Sequence, residues 1–150
     1  MNFAVPEDNG MNYIDRVETD WAFRIQLPIG TNVPFHCTAS GKCFLSSLKK
    51  REINGILSSI KLEAITEKTH VTPEGLMQEL NQIKKQGYAL DKEEFMEGMI
   101  AIAVPIKDRE DRFVGALAFH GPTQRISIEN AVARKEILIS ASQKLREHLF

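Results

Sequence analysis

The chain has 150 residues, 19 Lys and Arg against 20 Asp and Glu, and 43% hydrophobic residues. A chain of this size buries the core of one ordinary domain, and 26% charged residues is a globular rather than a disordered composition. A formal net charge of -1 leaves no basic footprint for nucleic acid, the longest apolar run (residues 100–104) is far too short to cross a membrane, and the first residues lack the basic and apolar regions of a signal peptide.

Two cysteines, Cys37 and Cys43, make no disulfide framework and point to a reducing cytoplasm. Without repeats, low-complexity tracts or a linker, residues 1–150 read as one domain. Residues 3–5 and 13–17 read as strands, separated by Glu7-Asp8-Asn9-Gly10, where Asn-Gly supplies positive φ. Residues 23–27 alternate apolar and polar with period two, a third strand closed by Pro28 to Asn32. Thr38 caps a helix holding Cys43, Phe44, Leu45 and Leu48, and a second helix covers 51–59. Thr72-Pro73-Glu74 opens the clearest helix, with Leu76, Leu80 and Ile83 on one stripe and Gly87 as a left-handed cap. Residues 99–107 and 112–120 form two strands joined by a polar turn at 108–111, and one last amphipathic helix spans 129–149. Strands at both ends with helices between them predict an α+β domain built on an antiparallel sheet.

The hairpin at 99–120 carries the most information. Successive strand residues face opposite sides, so Ile100, Ile102, Val104 and Ile106 share one face and Ala101 and Ala103 the other. In the second strand Leu117 and Phe119 oppose Ala116, Ala118 and His120. Both faces are apolar, as in strands covered on both sides. If like pairs with like, four alanines and His120 share one face. The space they leave is filled by a closely packed helix or by a ligand, and His120 either donates into a cavity or is satisfied by backbone.

Thr38-Ala39-Ser40-Gly41-Lys42 starts a helix with small residues, where unpaired amides meet an anion or simply cap the helix. It lacks the pattern of a phosphate loop. Asp91-Lys92-Glu93-Glu94 fits a capping box, with Asp91 as the cap or as an acceptor for a ligand hydroxyl. Cys37 and Cys43 lack Cys-x-x-Cys spacing, His36, His70, His120 and His148 lack metal-ligand spacing, and no catalytic serine elbow occurs.

Several blocks then occur in order: Leu27-Pro28-Ile29-Gly30, Pro34-Phe35-His36-Cys37-Thr38-Ala39-Ser40-Gly41-Lys42, Gly87-Tyr88-Ala89-Leu90-Asp91-Lys92-Glu93-Glu94, Ile102-Ala103-Val104-Pro105-Ile106, and Gly121-Pro122 with Arg125-Ile126. With these blocks nearly the whole chain closely resembles the effector-binding domain of the IclR family of bacterial transcription regulators. The resemblance implies a GAF-like, profilin-like antiparallel sheet flanked by helices. It also implies a site for a small metabolite, often a carboxylate such as a keto acid or aromatic acid, between the sheet and Ala39, Ser40 and Gly41. The acidic pocket residue falls on Asp91, the pocket-lining strand positions on Ala101, Ala118 and His120, and apolar lid positions on Ala22, Ile25 and Val33. Better-known members carry Cys or Ser at several of these strand positions, so the floor here is expected to be more apolar and to suit a bulkier acid. The family joins this domain to an N-terminal winged helix-turn-helix through a linker helix, both expected to be missing from this chain. The expected protein is a cytoplasmic sensing domain in a homodimer or homotetramer, reaching DNA only through that missing domain, with no catalytic residue, cofactor, metal or membrane partner. Two other readings are a thiol-based redox enzyme using Cys37 or Cys43, and an interaction module whose pocket is packed shut.

Overall fold

The computed structural model describes residues 1–16 and 30–149. The strand expected over 23–27 and the lid positions Ala22 and Ile25 lie outside the described residues. β1 (Asn2–Glu7) and β2 (Gly10–Arg16) form a hairpin in which Glu7 faces Gly10, leaving a two-residue loop. Neither Asn9 nor Gly10 takes the positive φ expected of them. Glycine is needed at position 10 for another reason: a Cβ there would lie 2.4 Å from Asn32 Oδ1 and 2.5 Å from the Val33 carbonyl. Those neighbours belong to β3 (Asn32–Val33), a short edge strand paired to β2.

β4 (Ala89–Lys92), β5 (Met99–Lys107) and β6 (Phe113–Pro122) complete a six-stranded sheet in the order β3-β2-β1-β6-β5-β4, with every pair antiparallel. The architecture is α+β, as the strand and helix order predicts. β5 and β6 pair like with like: Ile102 faces Phe119, Val104 faces Leu117, Ala103 faces Ala118, and Ala101 faces His120.

That register divides the molecule into two cores. The bulky face packs Ile100, Ile102, Val104, Ile106, Leu117 and Phe119 against Ile126, Ala131 and Leu138. The last two come from α4 (Ile128–Ala133) and α5 (Lys135–Leu149). The single helix expected over 129–149 is therefore two. The N–H of Arg134 reaches back to the Ala131 carbonyl at 3.0 Å, a tightened turn that ends α4, and Ser127 caps its start by accepting from Asn130 N at 3.1 Å.

The small face packs Ala4, Ala89, Ala101, Ala103, Ala116 and Ala118 beneath α1 (Ala39–Ser46), α2 (Lys50–Ser59) and α3 (Pro73–Gln86). α1 lies directly against β5 and β6. Close helix packing thus accounts for most of the alanine surface. α3 begins as predicted: Thr72 accepts from Gly75 N at 3.2 Å, Pro73 takes the first helical position, and Gly87 at φ 86° closes it. Its stripe of Leu76, Leu80 and Ile83 is buried, and each such side chain contributes roughly 2 kcal/mol by leaving water.

Candidate functional site

The alternation of β4 points Ala89 and Asp91 to the small face. Asp91 pairs with Ala101, and Ala101 with His120. Three residues far apart in the chain thus form one row across three strands, about 10 Å long at the usual strand spacing. The next row runs Ala89, Ala103, Ala118 and Asn2. A third holds Ala116, Ala4 and Tyr13. The result is an alanine floor with polar groups at its rim, and α1 above it. Val33 is buried in the same core, on the far side of β2.

No helix follows Asp91, so the expected capping box caps a turn instead. Asp91 Oδ1 accepts from Glu94 N at 2.8 Å, but Glu93 at φ 60° and Gly98 at φ 82° carry the chain round a bend rather than into a helix. The Glu94 carboxylate turns away from Asp91 N and accepts from Lys92 N at 3.0 Å. Burial is the main force on the Asp91 carboxyl. Together with the nearby Glu94 carboxylate it outweighs the hydrogen bond from Glu94 N and raises the pKa to about 7.

Behind this turn lies a charge cluster that the sequence reading does not anticipate. Lys42, on α1, is fully buried. Its Nζ donates to the Leu90 carbonyl at 2.6 Å and to both Glu94 carboxylate oxygens at 2.8 and 2.9 Å, and it pairs with Glu79 of α3. Glu79 also meets His70 Nε2 at 2.6 Å. Burial alone would raise the Glu79 pKa, but Lys42 and His70 prevail and hold it low. Thr69 Oγ1 secures the Glu94 carbonyl at 2.7 Å. His70, Glu79 and Glu94 place potential metal-ligand atoms within 4.8 Å of one another. The Lys42 ammonium rests against both carboxylates and supplies the positive charge that such a group requires.

The start of α1 also departs from expectation. Gly41 N donates to Thr38 Oγ1 at 3.1 Å and Lys42 N to the Thr38 carbonyl at 3.0 Å, so both amides are engaged by the cap. Glycine at 41 serves packing, since a Cβ would fall 2.5 Å from the Phe35 carbonyl. Gly41 is therefore not an open approach to an anion, and Ala39 and Ser40 carry what remains of that expectation. The Ser40 hydroxyl is buried and has no hydrogen-bond partner among the described residues.

His120 does not project a free imidazole. Asn2 Nδ2 lies 2.8 Å from its Nδ1, and Tyr13 Oη lies 3.1 Å from its Nε2. Desolvation of the ring lowers its pKa to about 4, so it is neutral near pH 7. Tyr13 was not among the expected site residues. It is buried on the same face, its ring edge-on to His120 at 5.8 Å, and burial raises its pKa. Its signal was the alternation Met11, Tyr13 in a strand. The signal for Lys42 was a lysine placed between Ala39 and Leu45 on the inward stripe of α1.

Both thiols are buried, and burial pushes each to about 12. Neither forms appreciable thiolate at neutral pH, which removes the nucleophile that the redox reading needs.

The family described as "Bacterial transcriptional regulator IclR C-terminal" matches residues 1–147. The acetate operon repressor of Salmonella typhimurium is 32% identical over 147 residues, covering 97% of this chain and 54% of the repressor. The transcriptional repressor IclR of Escherichia coli is 31% identical over 147 residues, with 97% and 54% covered. The chain thus spans about half the length of the curated relatives it matches. Among solved structures, the IclR protein of Thermotoga maritima superposes with a TM-score of 0.90 at 27% identity, covering 99% of this chain and 60% of that one. The C-terminal domain of Escherichia coli KdgR gives 0.86 at 29%, covering 97% and 84%. A 3-hydroxy benzoic acid complex of the inducer-binding domain of Acinetobacter PobR, a double mutant, gives 0.89 at 23%, covering 97% and 86%. These relatives are named as regulators and repressors of transcription, and the matched region is their C-terminal part. The chain belongs to the IclR family, as its C-terminal effector-binding domain.

Proposed function

We propose that this domain senses a small carboxylate metabolite held between the start of α1 and the Asp91–Ala101–His120 row. Ala39, Ser40, Ala118 and Val33 contribute to the same chamber. In the full-length protein, occupancy changes the geometry of a homodimer or homotetramer and so the placement of an N-terminal DNA-binding domain. The observation that carries the reading is the buried Ser40 hydroxyl, without a hydrogen-bond partner among the described residues, at the N-terminus of a helix lying over a floor of alanines. Helix amides and a free hydroxyl favour an anion, and small side chains leave it room. The PobR domain is described with an aromatic acid bound, which is consistent with this class of effector in a domain of this fold.

A thermal-shift screen of small acids, including benzoate, pyruvate and butyrate, tests it. Saturation at a hundred times the dissociation constant adds about 2.7 kcal/mol of stability. A broad screen that leaves the melting temperature of the folded protein unchanged refutes it.

A further inference from the structure

The sheet ends unevenly on one side, and the step leaves a cleft. β4 is the edge strand and pairs with β5 only as far as Ala89 and Ala103. β5 runs on to Lys107 with no strand beyond it on that side among the described residues. Helices flank this step on both faces of the sheet, α1 and α3 on one and α5 on the other. Three hollows of about 140, 280 and 560 Å³ follow it in line. The first two share Gly87, Pro105 and Lys107, and the last two share Gln143 and Arg146, so they make one groove.

The charge of the groove is one-sided. Lys84, Lys107, Arg109 and Arg146 line it against one acid, Glu147, in a chain whose formal net charge is -1. Lys84, Lys107 and Arg146 have no ion-pair partner among the described residues. The floor is apolar, with Ile83 and Val104 buried and Pro105 and Ile139 half-buried.

These features select the occupant. A basic rim attracts an anion, but an apolar floor gains nothing from a phosphate backbone and does gain from apolar side chains. The step has the width of one absent strand, about 5 Å, which suits an extended chain and not a duplex. Strand addition is barred at its centre: Pro105 has no N–H to offer, and its carbonyl already accepts from Ser142 Oγ at 2.8 Å. Recognition there falls to side chains. In an extended peptide these alternate between two sides, one set toward the floor and the other toward the rim.

We propose that this groove docks an extended acidic peptide of a protein partner. Its carboxylates pair with Lys107 and Arg146, and its alternate apolar side chains rest on Pro105 and Ile139. The floor from Val104 to Lys107 is about 10 Å long, enough for three or four residues of such a chain. The groove shares no lining residue with the chamber assigned to the effector, so the two readings stand or fall separately.

Fluorescence anisotropy with the full chain tests it. The probes are labelled peptides alternating glutamate with leucine, glutamate with serine, and lysine with leucine. At low salt the glutamate–leucine peptide should bind about tenfold more tightly than either of the others. Lys107→Gln with Arg146→Gln should melt close to the parent, because both side chains reach solvent, and should bind that peptide about tenfold more weakly. Lys50→Gln with Arg51→Gln, which deletes as much charge from an exposed run outside the groove, should bind it as the parent does. Equal losses in the two double variants overturn the proposal, since the attraction would then belong to the charge of the whole chain. Equal binding of the glutamate–serine peptide overturns it by leaving the floor no part, and tighter binding of a short DNA duplex overturns it by assigning the rim to phosphates. Absence of binding by the glutamate–leucine peptide at low salt also overturns it.

Discussion

Lys42→Met is the sharpest perturbation that the structure offers. The substitution keeps the length and apolar stem of the side chain and deletes only the charge. The ammonium it removes is fully buried, and its partner Glu94 has a side chain only 5% exposed. Glu94 would be left as an uncompensated carboxylate, sharing its surroundings with Asp91. Breaking a buried pair on one side costs about 3–5 kcal/mol. For a domain of this size that lowers the melting temperature by roughly 10 °C. The double variant Lys42→Met with Glu94→Gln removes both charges and should recover a large part of the loss. A thermal or urea melt of the four proteins in the cycle measures the coupling directly. A single variant within about 1 kcal/mol of the parent would refute the claim that this cluster holds α1 to α3 and the 93–98 bend, because a loss that small belongs to exposed pairs.

The remaining expectations are briefer. Asp91 has its folded pKa raised to about 7 from an ordinary value of 3.8, so the native state holds the extra proton between those values. Stability contributed by that proton is present at low pH and lost as pH rises from about 4 to 7, by at most about 4 kcal/mol. Asp91→Asn should flatten this dependence in melts across that range, and a parent profile already flat there would contradict it. Because ionised Asp91 repels an anion, benzoate should bind more tightly at pH 6 than at pH 8 in the parent and equally in Asp91→Asn, as titration calorimetry would show. Gly41→Ala drives a methyl into the Phe35 backbone and should destabilise by about 1–3 kcal/mol, read from chemical denaturation. Cys37 and Cys43 should resist a thiol reagent in the native protein at pH 8 and react at once in denaturant; prompt native labelling would show that they are not held as buried thiols.

The α+β class and the two faces of the central hairpin were legible because both strands alternate bulky and small residues in step. With like paired to like, as the structure has it, Ile102 and Phe119 meet on one side and Ala103 and Ala118 on the other. α3 was legible because Thr72, Pro73 and Gly87 carry backbone chemistry that any tertiary setting respects. β4 was not, because its four residues end in Asp91-Lys92 and run straight into Glu93-Glu94, which locally imitates a helix start. With β4 unread, the row joining Asp91, Ala101 and His120 could not be drawn from periodicity, since it exists only through pairing with β5. Local patterns flag Asp91 and His120 one at a time, and only the family resemblance assigns both to one pocket. The break between α4 and α5 was hidden because the apolar pattern continues through Arg134 without a Gly or Pro. The burial of Lys42 was not legible because a charge is ordinarily solvated. Its burial depends on two glutamates 37 and 52 residues away, and nothing local announces them.

The shortness of α1 has a mechanical consequence. Ser40 and Lys42 sit two residues apart on a helix of eight residues, which is about 12 Å of stiff rod. Such a strut cannot absorb a displacement by bending. On the proposed reading, a push at the Ser40 end of this strut would reach the Lys42–Glu79–Glu94 cluster with little loss, and through it α3 and the bend before β5.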